Sequence, residues 1–237
     1  MEIKNSGSII ISADDFGISK TASDRILALV KIGKIDRVEV MMSKNVTKEQ
    51  AEILNKSGVR IDIHFHLSAD KLDQWQSRQK EIRESNFKRI IGFTLDYFFN
   101  RNRSSEVEAE WHFQLTDFRK LFGRNPDGVS SHENIHFFPA YFKIIERIAV
   151  ENSIKHIRFG SYNFKNYNPV CIILNILRKL NNKNYQKYRM LTTNFFISFD
   201  WIKNKRNTLN LLPKNQAVEL VFHPERDDEF EYLKSFS

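Results

Sequence analysis

The chain has 237 residues, of which 41% are hydrophobic and 20 are phenylalanine, so it can bury a substantial core and is not a disordered chain. Its formal net charge is +8, and it contains one cysteine, which excludes an intrachain disulfide and fits a reducing compartment. The sequence shows neither a signal peptide nor an apolar stretch long enough to span a bilayer, so we expect a soluble, cytoplasmic protein.

Segments typical of strands and helices alternate along the chain. Up to the first long polar stretch we predict a strand over 8–13, a helix over 21–34, a strand over 38–42, a helix over 47–56 and a strand over 59–67. After it we predict a helix over 106–122, a strand over 127–131, a helix over 139–152, a strand over 156–159, a helix over 168–180 and a strand over 217–222, with 191–202 left unassigned.

This alternation predicts one α/β domain over 1–237 with a mostly parallel sheet, open or closed into a barrel. The polar stretch over about 68–105 is then an insertion into that domain. Because it is long and highly charged, it could serve as a lid over a site at the end of the sheet.

Two adjacent carboxylates follow the first predicted strand. Asp14 and Asp15 come directly after an apolar run, and Gly17 ends the segment. In α/β proteins ligands bind at the carboxyl ends of strands. Side chains alternate along an extended strand, so Asp14 and Asp15 would point to opposite faces, and one could hold a cation while the other accepts a proton. A simple turn built from Asp and Gly is the structural alternative.

Histidines follow three of the later predicted strands. They are His64 and His66, His132 and His136, and His223. Residues two apart in a strand share a face, so His64 and His66 are plausible metal ligands. With Asp15, four strand ends therefore carry potential ligands, and their convergence at one edge of a parallel sheet is what a metal-dependent hydrolase needs.

These motifs resemble, in composition and order, those of the YdjC-like carbohydrate deacetylases, a group that includes chito-oligosaccharide deacetylases and hopanoid-associated members. The matching blocks are Ser12-Ala13-Asp14-Asp15-Phe16-Gly17, the strand end at His64, Ser131-His132 with His136, and Phe222-His223-Pro224. The likeness extends over nearly the whole chain. It implies an irregular (β/α) barrel similar to a TIM barrel, with one divalent metal ion: magnesium or zinc in the first place, and manganese or cobalt as alternatives.

The resemblance also implies roles for individual residues in removing an acetyl group from an N-acetylated saccharide. Asp15, His64 and His132 would be the metal ligands, Asp14 the catalytic base, and His223 the acid or an orienting group. We further expect substrate contacts from His66, His136 and Arg158.

The chain departs from the family pattern at several positions. Ser130 stands where the family usually has Asp, His66 where it often has Asn, Glu133 and Asn134 where further histidines are common, and Glu225 where Gly is common. These differences leave the three implied ligands intact. They concern the surroundings of the ligands and the substrate cleft, and they leave open whether activity is altered.

Two other functions are compatible with the sequence. A metal hydrolase acting on a phosphoester or a non-sugar amide would use the same ligands. A non-catalytic protein could instead bind nucleic acid or anionic lipid through segment 155–206, which carries eleven Lys or Arg and one acidic residue. For the deacetylase we expect no nucleic-acid partner. Peripheral membrane contact through the basic segment and a homodimer are left open.

Overall fold

The computed structural model describes residues 9–67, 103–161, 169–187, 190–201 and 215–235. The strands are β1 (Ile9–Phe16), β2 (Arg37–Val40), β3 (Arg60–Phe65), β4 (Gly128–Ser131), β5 (His156–Ile157), β6 (Phe195–Ser198) and β7 (Val218–Phe222). The helices are α1 (Lys20–Lys31), α2 (Lys48–Ser57), α3 (Arg103–Phe122), α4 (Pro139–Glu151), α5 (Pro169–Lys187) and α6 (Asp227–Ser235), with 3₁₀ helices at His132–Phe137 and Phe199–Trp201.

The seven strands form one parallel sheet in the order β5-β4-β3-β2-β1-β7-β6. The sheet curls until the chain beyond β5 reaches β6: the Ser161 amide donates to Asn194 O at 2.9 Å, and the Phe196 amide donates to Ser161 O at 3.1 Å. Nearby, the Ile157 amide donates to Leu191 O at 3.0 Å. The predicted class, an α/β protein with an irregular TIM-like barrel, is confirmed. In the described part of the chain, isolated β-bridges join the two edges of the sheet.

Alternation along the strands separates an apolar outer face from a charged interior. In β2, Val38 and Val40 belong to the hydrophobic core, while Arg37 and Glu39, which alternate with them, are 0% exposed and ion-paired inside the barrel. Glu219 of β7 likewise accepts from Arg37 Nη1 at 2.9 Å. Buried charges are costly unless they are paired, so this interior depends on matched partners.

The predicted elements are confirmed with small shifts at their ends. The helix predicted over 47–56 begins with a capping box between Thr47 and Gln50 and is capped at its end by Gly58. The φ of Gly58 is 80°, a left-handed conformation that glycine adopts readily because it has no side chain. The unassigned segment 191–202 contains β6 and the second 3₁₀ helix, and α6 was not predicted.

The polar insertion and the single-domain organisation stay predictions. Most of the insertion, residues 68–102, lies outside the described residues. Of the helices described here, none is both long enough and apolar enough to cross a membrane.

At the seam of the barrel, where the chain beyond β5 meets β6, Gly160 leaves no room for a side chain. A Cβ at Gly160 would lie 2.8 Å from backbone atoms of Phe195 and Phe196. We expect Gly160→Ala to lower the free energy of unfolding by about 1–3 kcal/mol, because β6 must move away. Urea denaturation measures this loss. Gly33→Ala is the control: it meets nothing within 4 Å but has a φ of +70°, so it bears backbone strain alone. Equal losses in the two variants would contradict a tight seam.

Candidate active site

An irregularity at the end of β1 brings two carboxylates to one cavity. Asp15 has a φ of 68°, in the left-handed region, and the register of β1 against β2 shifts between Ala13 and Phe16. The alternation of side chains is therefore broken, and Asp14 and Asp15 both line the same cavity. The expectation of opposite faces is wrong here because it assumed a regular extended strand.

Three side chains from separate strand ends converge on this point. Asp15 Oδ1 lies 3.0 Å from His132 Nδ1 and 3.6 Å from His64 Nε2. One possible ligand atom from each of the three residues can be chosen so that all lie within 4.8 Å of one another. Donors that share one ion at about 2.1 Å are typically about 3–4 Å apart. The donor set of one carboxylate and two imidazoles therefore fits a single divalent cation.

Electrostatics couples Asp15 to His132. Burial raises the pKa of Asp15, but the adjacent imidazoles, His132 foremost, hold that pKa well below its usual range. Burial lowers the pKa of His132, but the Asp15 carboxylate and its hydrogen bond raise that pKa to about 9. In the metal-free protein the two groups are therefore an ion pair at neutral pH.

Arg158 holds Asp14 in a fixed orientation. Its Nη1 donates to Asp14 Oδ2 at 2.7 Å and its Nη2 to Asp14 Oδ1 at 2.8 Å, which is a bidentate pair. The remaining bonds of the guanidinium, each 2.9 Å long, go to Ser12, Glu39 and Glu219. Arg158 is 0% exposed and supports Asp14 through these bonds, and its contact with substrate stays a prediction.

Ser130 and Glu39 support His64 from below. His64 Nδ1 lies 2.6 Å from Ser130 Oγ, and that hydroxyl donates to Glu39 Oε2. Because the hydroxyl has one proton, which it gives to Glu39, it accepts from Nδ1–H of His64. The other ring nitrogen, Nε2, then presents a lone pair toward Asp14 and Asp15, as a metal ligand must.

The other two histidines predicted to contact substrate are tied to the protein. Both ring nitrogens of His66 face backbone carbonyl oxygens, at 2.8 and 2.9 Å. His136 is 0% exposed, with Nδ1 2.7 Å from Ser131 Oγ and Nε2 2.7 Å from Arg158 O. Burial lowers the pKa of His136 to about 3, so its ring is neutral. Neither lines the described cavity, and contact with substrate stays a prediction for both.

The cavity above these groups has a volume of about 320 Å³. His223 lines it, and its backbone amide donates to Glu229 Oε2 at 2.7 Å. Burial lowers the pKa of His223, but Glu229 and Asp15 raise it by more. The walls also carry three aromatic side chains and three polar residues from the positions where the chain departs from the family: Phe138, Phe196 and Trp201, and Glu133, Asn134 and Glu225.

The sequence analysis did not single out Glu39, Glu219 or the supporting role of Ser130. A signal was present, because Glu39 alternates with Val38 and Val40 inside a predicted buried strand. A charged residue at such a position indicates an inward-facing ion pair. The identity of its partner depends on strands far away in the sequence and could not be read from this pattern.

Comparison with known proteins assigns the chain to a family. The model of the YdjC-like protein family matches residues 8–237. The chain belongs to the YdjC-like family. A chitooligosaccharide deacetylase of Escherichia fergusonii is 25% identical over 150 residues, which cover 62% of this chain and 57% of that protein. A carbohydrate deacetylase of Danio rerio is 22% identical over 152 residues, covering 63% of this chain and 49% of that protein.

The chain thus spans about half the length of these two relatives of the YdjC-like family. Among solved structures, the chain is similar to an Enterococcus faecalis protein provisionally named a cellobiose-phosphate cleavage protein. The TM-score is 0.63 at 19% identity, and the match covers 98% of this chain and 92% of that one. At this identity the likeness concerns the fold.

The pair of Asp15 and His132 predicts a pH dependence of stability in the metal-free protein. The pKa of His132 is about 9 in the folded protein against 6.5 when unperturbed, so its stabilising effect is complete below pH 6.5. It is lost as the pH rises from 6.5 to 9. We expect the free energy of unfolding to fall across this window by no more than about 3 kcal/mol. Urea denaturation at several pH values measures it. His132→Asn should flatten the profile, and an unchanged slope in that variant would contradict the assignment.

Proposed function

We propose that this protein is a metal-dependent hydrolase that removes the acetyl group from an N-acetylated saccharide. The observation that carries the proposal is the approach of Asp15, His64 and His132 beside a fixed carboxylate, Asp14, at the wall of an open cavity. The names of the family relatives, chitooligosaccharide deacetylase and carbohydrate deacetylase, support the substrate class.

Asp15, His64 and His132 would hold the cation. Three protein ligands leave coordination positions open, which is typical of catalytic rather than structural sites. A divalent ion bound there lowers the pKa of a water molecule and stabilises negative charge on the carbonyl oxygen of the acetamide. One oxygen and two nitrogen ligands suit zinc, magnesium, manganese or cobalt.

Asp14 would act as the general base. It lines the cavity, and its Oδ2 lies 3.7 Å from His64 Nε2, so it stands next to the ligand cluster. Arg158 occupies one lone pair on each carboxylate oxygen and leaves further lone pairs that can accept a proton from the attacking water. The bidentate pair also fixes the orientation of the carboxylate.

His223 would return a proton to the leaving nitrogen. It lines the same cavity as Asp14, and the nearby acidic groups Glu229 and Asp15 raise its pKa. A protonated imidazole can donate to the amine as the C–N bond breaks. Asp14 and His223 would therefore divide the proton transfers between them.

The walls of the cavity suit a saccharide. Trp201, which is partly exposed, offers aromatic surface on which a sugar ring can stack, and Asn134 and Ser198 offer groups for its hydroxyls. The alternative of a binding protein that uses segment 155–206 loses one of its charges, because Arg158 is buried inside the barrel.

Replacement of Asp14, the proposed base, is expected to lower turnover and to leave metal binding unchanged. We expect Asp14→Asn to lower acetate release from N-acetylglucosamine oligomers by about 10²–10⁴-fold, because a general base contributes that much. Elemental analysis should find the metal retained, since Asp15, His64 and His132 are intact. Asp24→Asn, at an exposed site on α1, is the control and should change neither quantity.

Full acetate release by metal-loaded Asp14→Asn would refute the role of Asp14. Absence of acetate release by the unaltered protein, with metal bound, would point instead to a hydrolase with another substrate.

A further inference from the structure

We infer that Glu39 is a positioning residue that joins the metal ligand His64 to the base Asp14, so that one buried carboxylate sets the geometry of both. The inference deepens the proposed function and rests on it, because it takes His64 as a ligand. Glu39 does not line the described cavity, so it would act through its neighbours.

Glu39 divides its two oxygens between two partners. It is 0% exposed. Its Oε1 accepts from Arg158 Nη2 at 2.9 Å, and its Oε2 accepts from the hydroxyl of Ser130. Both partners are also 0% exposed, so no solvent can substitute for either contact. A buried carboxylate with fixed donors on both oxygens has one orientation.

The contact through Ser130 sets the tautomer of His64. The Ser130 hydroxyl gives its proton to Glu39, and its lone pair accepts from His64 Nδ1 at 2.6 Å. The ring proton therefore stays on Nδ1, and Nε2 keeps the lone pair that faces Asp15 at 3.6 Å. Hydrogen bonds of this kind behind a ligating histidine commonly change metal affinity 10–100-fold.

The contact through Arg158 orients Asp14. The same nitrogen that donates to Glu39, Nη2, also donates to Asp14 Oδ1 at 2.8 Å. Glu39 and Asp14 thus hold one edge of the guanidinium between them. If Glu39 loses its charge, the anionic partners that remain for the guanidinium are Asp14 and Glu219.

Glutamine at position 39 would reverse the chain of hydrogen bonds to His64. Arginine has donors only, so the amide oxygen must face Arg158 and the amide NH₂ must face Ser130. The Ser130 hydroxyl then accepts from the amide and gives its own proton to His64 Nδ1. The ring proton moves to Nε2, where it occupies the lone pair needed by the metal, although the shape of the side chain is unchanged.

The first test is Glu39→Gln, with two measurements. We expect Zn²⁺ affinity, from competition with a chromophoric chelator, to fall about 10–100-fold. We expect ¹⁵N NMR of the histidine side chains in the metal-free protein to show the His64 proton moved from Nδ1 to Nε2. Glu219→Gln is the matched control: it removes another buried carboxylate bonded to Arg158, at 2.9 Å, and the described contacts do not join it to Ser130. Its Zn²⁺ affinity and its His64 tautomer should stay unchanged.

The second test asks whether the effect passes through Ser130. Ser130→Ala should weaken Zn²⁺ binding by itself, and Glu39→Gln in that background should cause no further loss of affinity. Additive losses, or wild-type affinity with an unmoved His64 proton in Glu39→Gln, would overturn the inference. If Glu39→Gln does not fold, wild-type Zn²⁺ affinity in Ser130→Ala would overturn it.

Failure of the proposed function looks different from failure of this inference. A wild-type protein that binds no Zn²⁺, Mg²⁺, Mn²⁺ or Co²⁺ contradicts the metal site itself. The NMR signature of His64 in the metal-free protein still decides the role of Glu39 in that case, because it needs no metal.

Discussion

The pairing of Arg158 with three carboxylates is the interaction on which the interior of the barrel depends. Asp14, Glu39 and Glu219 all accept from this one guanidinium, and all four side chains are almost completely buried. Removing one member of such a group leaves an unpaired buried charge, which typically costs 3–5 kcal/mol. Because the same contacts orient Asp14, the stability of the barrel and the geometry of the site rest on shared hydrogen bonds.

The interior is also acidic in composition, which bears on the choice of ligand. Five buried carboxyl groups lie inside the barrel or at its mouth beside two buried guanidinium groups: Asp14, Asp15, Glu39, Asp62 and Glu219, with Arg37 and Arg158. A divalent cation at Asp15 would offset the excess of negative charge. Desolvated acidic groups favour a cation more strongly than surface carboxylates do, because the surrounding protein screens them weakly.

The sequence was sufficient for the barrel and for the convergence of Asp15, His64 and His132, since the carboxyl ends of parallel strands share one edge of the sheet. It was not sufficient for the side-chain contacts behind them. Arg158 bonds to Asp14 across 144 positions of sequence, and no local pattern encodes such a pairing. Contact of His66 and His136 with substrate was also expected and stays a prediction. Their ring nitrogens lie within hydrogen-bond distance of backbone carbonyl oxygens and a serine hydroxyl, which no local pattern in the sequence indicated.

The left-handed backbone at Asp15 constrains how this protein can change during evolution. Asparagine and aspartate are the residues with side chains that enter this region most readily. Among substitutions at position 15, asparagine is therefore the one tolerated best. It would preserve the bend and the barrel but would remove the negatively charged carboxylate. Descendants that lose the carboxylate by this route would keep their shape.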